Sequence, residues 1–211
     1  TFTNNQARLV HVNGGGTHTI NIENATFTNN SVKGCGAIFL MDQSNAGNAS
    51  AINVYGGTFT DNACLLSSTS YGSGSIARLK SPGALHFYGG TFANNTTVAG
   101  KNYEGIYLRD VSQKLGSNVY VHKLSADLNV YLTPYSAKVF MSRIVVDSAL
   151  THMISVYIAD NRVPAKGMPL VVGTDEYKLS EADLAMVKSA NPKATFYLDT
   201  ENNAICIAKT E

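Results

Sequence analysis

The sequence predicts an all-β chain, a right-handed parallel β-helix closed by a small C-terminal α+β capping module. Three observations predict it. One short phrase recurs at solenoid spacing, apolar pairs at strand spacing precede each recurrence, and the composition changes near the middle of the chain. The phrase reads Thr1-Phe2-Thr3-Asn4-Asn5, Thr26-Phe27-Thr28-Asn29-Asn30, Thr58-Phe59-Thr60-Asp61-Asn62 and Thr91-Phe92-Ala93-Asn94-Asn95, and its phenylalanines are 25, 32 and 33 residues apart. Self-similarity at such a period means stacked units that cannot bury their apolar faces alone.

Seven and five residues before the last three phenylalanines stand Ile20 and Ile22, Ile52 and Val54, and Leu85 and Phe87. A step of two keeps each pair on one face of a strand. Five is odd, so an unbroken strand would turn the phenylalanine to the opposite face. The chain must bend in between, where Gly56-Gly57 and Gly89-Gly90 stand in two copies and Asn24-Ala25 in the first. After each phrase comes a loop and a further strand: Leu9–Val12, Gly36–Leu40, Ser75–Leu79 and Gly105–Leu108. Strands joined by bends, with no crossover helix, build a coil whose next turn lies ~4.8 Å above it. Asn5, Asn30, Asn62 and Asn95 then stack at one turn, where asparagine bonds its neighbours and tolerates left-handed φ.

From Val119 the phrase stops, but strand-like runs continue at Val119–Val121, Leu128–Leu132, Lys138–Met141 and Ile154–Ile158, either as further plain coils or as a small sheet, and Leu170–Val172 is a further strand. Ser180 is an N-cap before a short helix over about residues 180–190, with Glu181 and Asp183 in its first turn and Asn191-Pro192 ending it. A hairpin over 194–208 turns at Thr200–Asn203. The division expected is residues 1–135 as repeats and 136–211 as a cap, because an open stack exposes strand edges and core.

Composition bounds the function. Net charge is +1, so no basic field points to nucleic acid, and residues 1–100 hold only four basic and three acidic side chains. No apolar run reaches the ~18–20 residues of a membrane helix, so membrane insertion is not expected. Thr1 already lies inside a repeat, which suggests a piece of a longer multidomain chain. Cys35, Cys64 and Cys206 have neither disulfide-framework nor zinc spacing, and no cofactor or metal is expected.

Phe27-x-x-Asn30 followed by Gly34-Cys35-Gly36-Ala37-Ile38 resembles the paired FxxN and GGAI motifs of polymorphic outer-membrane proteins. Those are autotransporter-type adhesins with a pectin-lyase-like β-helix passenger. Similar repeats, closed by similar tails, occur in large surface proteins of Gram-positive gut bacteria. The resemblance covers roughly residues 1–130 and implies a bacterial cell-surface or extracellular location and an adhesin-like role.

Two outward features are candidates for that role. Tyr55 and Tyr88, with Glu23, stand four residues before their phenylalanines; Asn53 and His86, with Asn21, stand six before. Tyr55, Tyr88, His86 and Asn53 are therefore the expected ligand-binding residues, with Tyr107 a candidate neighbour. Exposed aromatics beside amides suit glycan or host-protein contacts. Ordinary cross-strand pairing of tyrosines is the competing explanation. Second, Thr1/Thr3, Thr26/Thr28 and Thr58/Thr60 form an outward array resembling β-helical ice-binding faces, a remote alternative.

No catalytic residue is expected. The runner-up function is a polysaccharide lyase or glycoside hydrolase, which needs two carboxylates ~5–10 Å apart or acidic calcium ligands. Aligning Ile38, Ile76 and Ile106 puts Asp42, Lys80 and Asp110 at one coil position, read as an exposed ladder of alternating charge. The leading expectation is a non-catalytic adhesin-like or stalk-like surface module.

Overall fold

The computed structural model describes residues 1–33, 38–43, 49–65, 74–80, 82–97, 105–110, 112, 115–136, 138–158, 165–190 and 194–209. The GGAI residues 34–37, Cys35 among them, and the expected helix end at 191–192 lie outside these.

The first coil carries β1 (Phe2–Thr3), β2 (Val10–Asn13) and β3 (Thr19–Ile22). The second carries β4 (Ala25–Thr28), β5 (Ser31–Val32), β6 (Phe39–Asp42) and β7 (Ala51–Val54). The third has β8 (Gly57–Thr60), β9 (Ala63–Cys64), β10 (Ala77–Leu79) and β11 (Ala84–Phe87), and the fourth β12 (Thr91–Ala93), β13 (Thr96–Thr97), β14 (Ile106–Arg109) and β15 (Asn118–Val121). Four strands follow: β16 (Leu128–Thr133), β17 (Arg143–Val146), β18 (Ile154–Ile158) and β19 (Pro169–Gly173). The chain ends with α1 (Glu181–Met186), β20 (Val187–Ser189), β21 (Ala194–Asp199) and β22 (Ala204–Lys209).

Corresponding strands stack in parallel. The phenylalanine strands run β1-β4-β8-β12, the short strands β5-β9-β13, and a third sheet β2-β6-β10-β14-β16-β18-β20. The fourth runs β3-β7-β11-β15-β17-β19-β22-β21, with antiparallel pairing only where β22 joins β19 and β21. The fold is thus all-β, built of stacked and mostly parallel sheets, compatible with a β-helix. Among the described residues no helix is long and apolar enough to cross a membrane.

The phrase works as a packing unit. Phe2, Phe27, Phe59 and Phe92 pair in register, and each neighbouring pair of rings is stacked with centroids 5.0 Å apart. Phe27 and Phe59 are fully buried and meet Phe39 edge-on at 5.8 and 6.1 Å. The glycine bends fall where two of the copies predict them: Gly57, the first residue of β8, and Gly90, just before β12, take φ +119° and +118°, and a Cβ on Gly57 would stand 2.2 Å from the Ala25 carbonyl oxygen.

The asparagine column is hydrogen-bonded throughout. The backbone N–H and Nδ2 of Asn30 donate to Oδ1 of Asn62 at 3.2 and 2.9 Å, and those of Asn62 to Asn95 at 3.1 and 2.8 Å. Each Nδ2 also reaches back to a phenylalanine carbonyl: Asn30 to Phe2, Asn62 to Phe27 and Asn95 to Phe59. The left-handed backbone falls one residue earlier than expected, on Asn4, Asn29, Asp61 and Asn94 at φ 53–58°. Those residues make the turn; the asparagines after them bond the coils together.

Beyond β16 the parallel stacking continues, since β17, β18, β19 and β20 extend the two long sheets. Two expectations for the C-terminal region need correction. Lys138–Met141 is not a strand. Asp110 gathers the amides of Tyr135, Met141 and Ser142 at 2.7–3.0 Å, which curls that segment and leaves Arg143–Val146 to pair with β15. The helix ends at Met186 rather than near residue 190. Val187 is β-branched and pairs with Ile154, so burying it as a strand residue outweighs another helical turn. Its start is as expected, with a capping box between Ser180 and Asp183. Asp183 also accepts from the Leu150 amide at 3.0 Å, tying the helix to the stack. The Tyr177 hydroxyl donates to Asp183 at 2.8 Å, and burial together with that bond pushes the tyrosine pKa up to about 12. The hairpin 194–208 is present as β21 and β22.

Candidate binding face

In the sheet that contains β3, β7, β11, β15 and β17, Ile20/Ile22, Ile52/Val54, Leu85/Phe87, Val119/Val121 and Ile144/Val146 point inward. Period-two alternation then turns Asn21, Asn53, His86 and Tyr120 outward in one column. Continuing the same registers one residue places Glu23, Tyr55, Tyr88, His122 and Asp147 in a second column beside it.

All four expected ligand-binding residues meet here. Tyr55 and Tyr88 are 48% and 37% exposed and stack at 4.8 Å. Asn53 Nδ2 donates to Asn21 Oδ1 at 2.9 Å, an amide ladder leading up to His86. Tyr107 is not a neighbour. It lies on the other long sheet, 2% exposed and stacked on Tyr131.

The face extends beyond those four. His122 stacks on Tyr88 at 4.0 Å, and Tyr120 on His86 at 4.3 Å. His86 Nδ1 and His122 Nε2 are 3.1 Å apart, and His122 Nδ1 lies 2.5 Å from Asp147 Oδ2. Burial, reinforced by the neighbouring His122, lowers the His86 pKa, so its imidazole favours the neutral form. Tyr120, His122 and Asp147 follow the last phrase, so no phenylalanine anchored their register. The alternation Val119-Tyr120-Val121-His122, matching Leu85-His86-Phe87-Tyr88, was the signal that could have found them.

The acids do not form the proposed charge ladder. Lys80 does pair with Asp42 at 3.0 Å, both partly exposed. But Ala77, not Ile76, pairs with Ile106, so the register slips by one residue and Asp110 falls past Lys80. Asp110 is 4% exposed and accepts from Tyr135, Met141 and both the amide and hydroxyl of Ser142. Glu23 and Asp147 stand four coil steps apart in the outward column, roughly 19 Å at the spacing of parallel strands. Among the described residues no three His, Cys, Asp or Glu side chains are grouped to hold a metal ion.

The threonines Thr26, Thr28, Thr58 and Thr60 are half-buried, Thr28 and Thr60 bond each other at 3.2 Å, and the second column ends at Ala93. Compared with known proteins, the chain matches no family model, no curated protein and no solved structure.

Proposed function

We propose that this chain is a right-handed, pectin-lyase-like β-helix module of a bacterial surface or secreted protein, and that it binds extracellular glycans or proteins without turning them over. The observation that carries the reading is the continuous outward face of Tyr55, Tyr88, His122, His86, Tyr120 and Asn53 on a rigid sheet. Exposed aromatics held in place by a stacked backbone lose little entropy on contact, and amides beside them supply donors and acceptors for hydroxyls.

A polysaccharide-active enzyme is the second reading, and one feature favours it. Asp147, His122 and His86 form a carboxylate–imidazole–imidazole chain of the kind that moves protons. Against it, Asp42 is paired with Lys80, Asp110 is committed to a turn, and Glu23 and Asp147 are too far apart for the paired-carboxylate mechanism.

A glycan array beside an assay for released sugar separates the two. A binding module retains glycans with no release, and Tyr88→Ala weakens retention about tenfold or more while the fold survives. Sugar release by the wild type, abolished by His122→Ala or Asp147→Asn, would establish the enzyme instead.

A further inference from the structure

Rings stacked coil upon coil cover one another's faces. Tyr88 lies between Tyr55 at 4.8 Å and His122 at 4.0 Å, with interplanar angles of 14° and 3°. Along most of its length the outward column therefore offers ring edges, and a free face remains only where the aromatic run stops. It stops at both ends of the column, at Asp147 beyond His122 and at the first coil, where the column residue beside Tyr55 is Glu23. Asn21, Glu23, Asn24 and Gly56 line a shallow open pocket there together with Tyr55. Asn21 Oδ1 already accepts from Asn53, which leaves its Nδ2 hydrogens for another partner. Glu23 and Asn24 are exposed. None of the outward residues of β3, β7, β11 and β15, the strands nearest Glu23, is Lys or Arg, so those strands set no such cation beside its carboxylate.

We propose that this pocket binds a glycan unit carrying a free protonated amine, a non-acetylated amino sugar. The inference rests on the glycan-binding reading above and names its ligand class. The C–H face of a pyranose packs on the Tyr55 ring, its hydroxyls meet the amides of Asn21 and Asn24, and its ammonium lies between the ring and the Glu23 carboxylate. A cation gains from both the ring quadrupole and the carboxylate. Acetylation removes that charge, and a uronic acid brings a like charge against Glu23.

The test is calorimetric titration of the whole chain with three probes: a glucosamine pentamer, an N-acetylglucosamine pentamer and a galacturonate pentamer. Glu23→Gln and Tyr55→Ala are titrated alongside, with folding checked by circular dichroism melts. The glucosamine pentamer is expected to bind about tenfold more tightly than its acetylated counterpart, and galacturonate not measurably. Glu23→Gln should cut the tenfold preference to the smaller part that the ring supplies and leave the acetylated pentamer unchanged; Tyr55→Ala should weaken both sugars. Raising salt from about 0.05 to 0.5 M should weaken only the glucosamine pentamer. Equal binding of the two pentamers, or a preference that Glu23→Gln leaves undiminished, overturns the amine assignment but leaves the wider glycan reading standing. No binding of any glycan on an array, by wild type or variants, overturns both.

Discussion

The molecule carries two ladders that climb the same stack and obey opposite rules. Inside, one coil position is phenylalanine four times over, and the residue three places later is asparagine four times over. Outside, the column beside β7 and β11 reads Glu23, Tyr55, Tyr88, His122, Asp147, a different chemistry at almost every step. In the middle of the stack, at Phe27, Phe59, Asn30 and Asn62, the inner slot has one shape and no water, so each coil there must present the same ring and the same amide to its neighbours. The outer position meets solvent, where many side chains fit and identity is free to vary. In a stacked fold, repetition of a residue within one chain therefore marks packing, and departure from repetition marks surface open to function.

The contrast can be broken most sharply from the inside. Phe59→Ala removes a fully buried ring from the middle of the stack and should cost about 3–5 kcal/mol in chemical denaturation. If it costs no more than the exposed Tyr88→Ala, the inner column is not what holds the coils together. Asn62→Ala comes next. It leaves the amide and Nδ2 of Asn30 without their acceptor in a dry turn, for a loss of about 1–3 kcal/mol by the same measurement.

The outer ladder should answer to pH rather than to truncation. Burial lowers the His86 pKa below its ordinary 6.5, so the folded chain holds fewer protons there than the unfolded one. Stability attributable to His86 is present above that ordinary value, falls as pH drops through it, and levels off once folded His86 itself protonates. Melting temperatures across this window should show the decline, and His86→Gln should flatten it; an unchanged slope would mean His86 is not the group responsible. Smallest of all is Asp42→Asn. A partly exposed pair with Lys80 is worth ~0–1 kcal/mol, so the melting curve should barely move.

Legibility in the sequence followed this same division. Phe27, Phe59, Asn30 and Asn62 could be placed because a repeated residue supplies its own alignment. Tyr55, Tyr88, Asn53 and His86 could be placed because they lie a fixed step before those phenylalanines. Tyr120, His122 and Asp147 have no such marker, and Asp110 was misplaced by a single residue because strand alternation alone does not fix register between coils. One residue of slip turns an exposed ladder carboxylate into a buried turn-former.

By itself, then, the sequence determined the all-β stacking, the inward phenylalanine and asparagine columns, the helix start capped by Ser180 and the final hairpin. All of these rest on short-range spacing or on an internal repeat. Only the tertiary structure decided how far the stack runs past residue 135, where the helix yields to Val187–Ser189, and which aromatics and acids share the outward face. Those outcomes depend on register between coils and on competition for buried positions, terms that arise only when strands distant in the chain lie side by side.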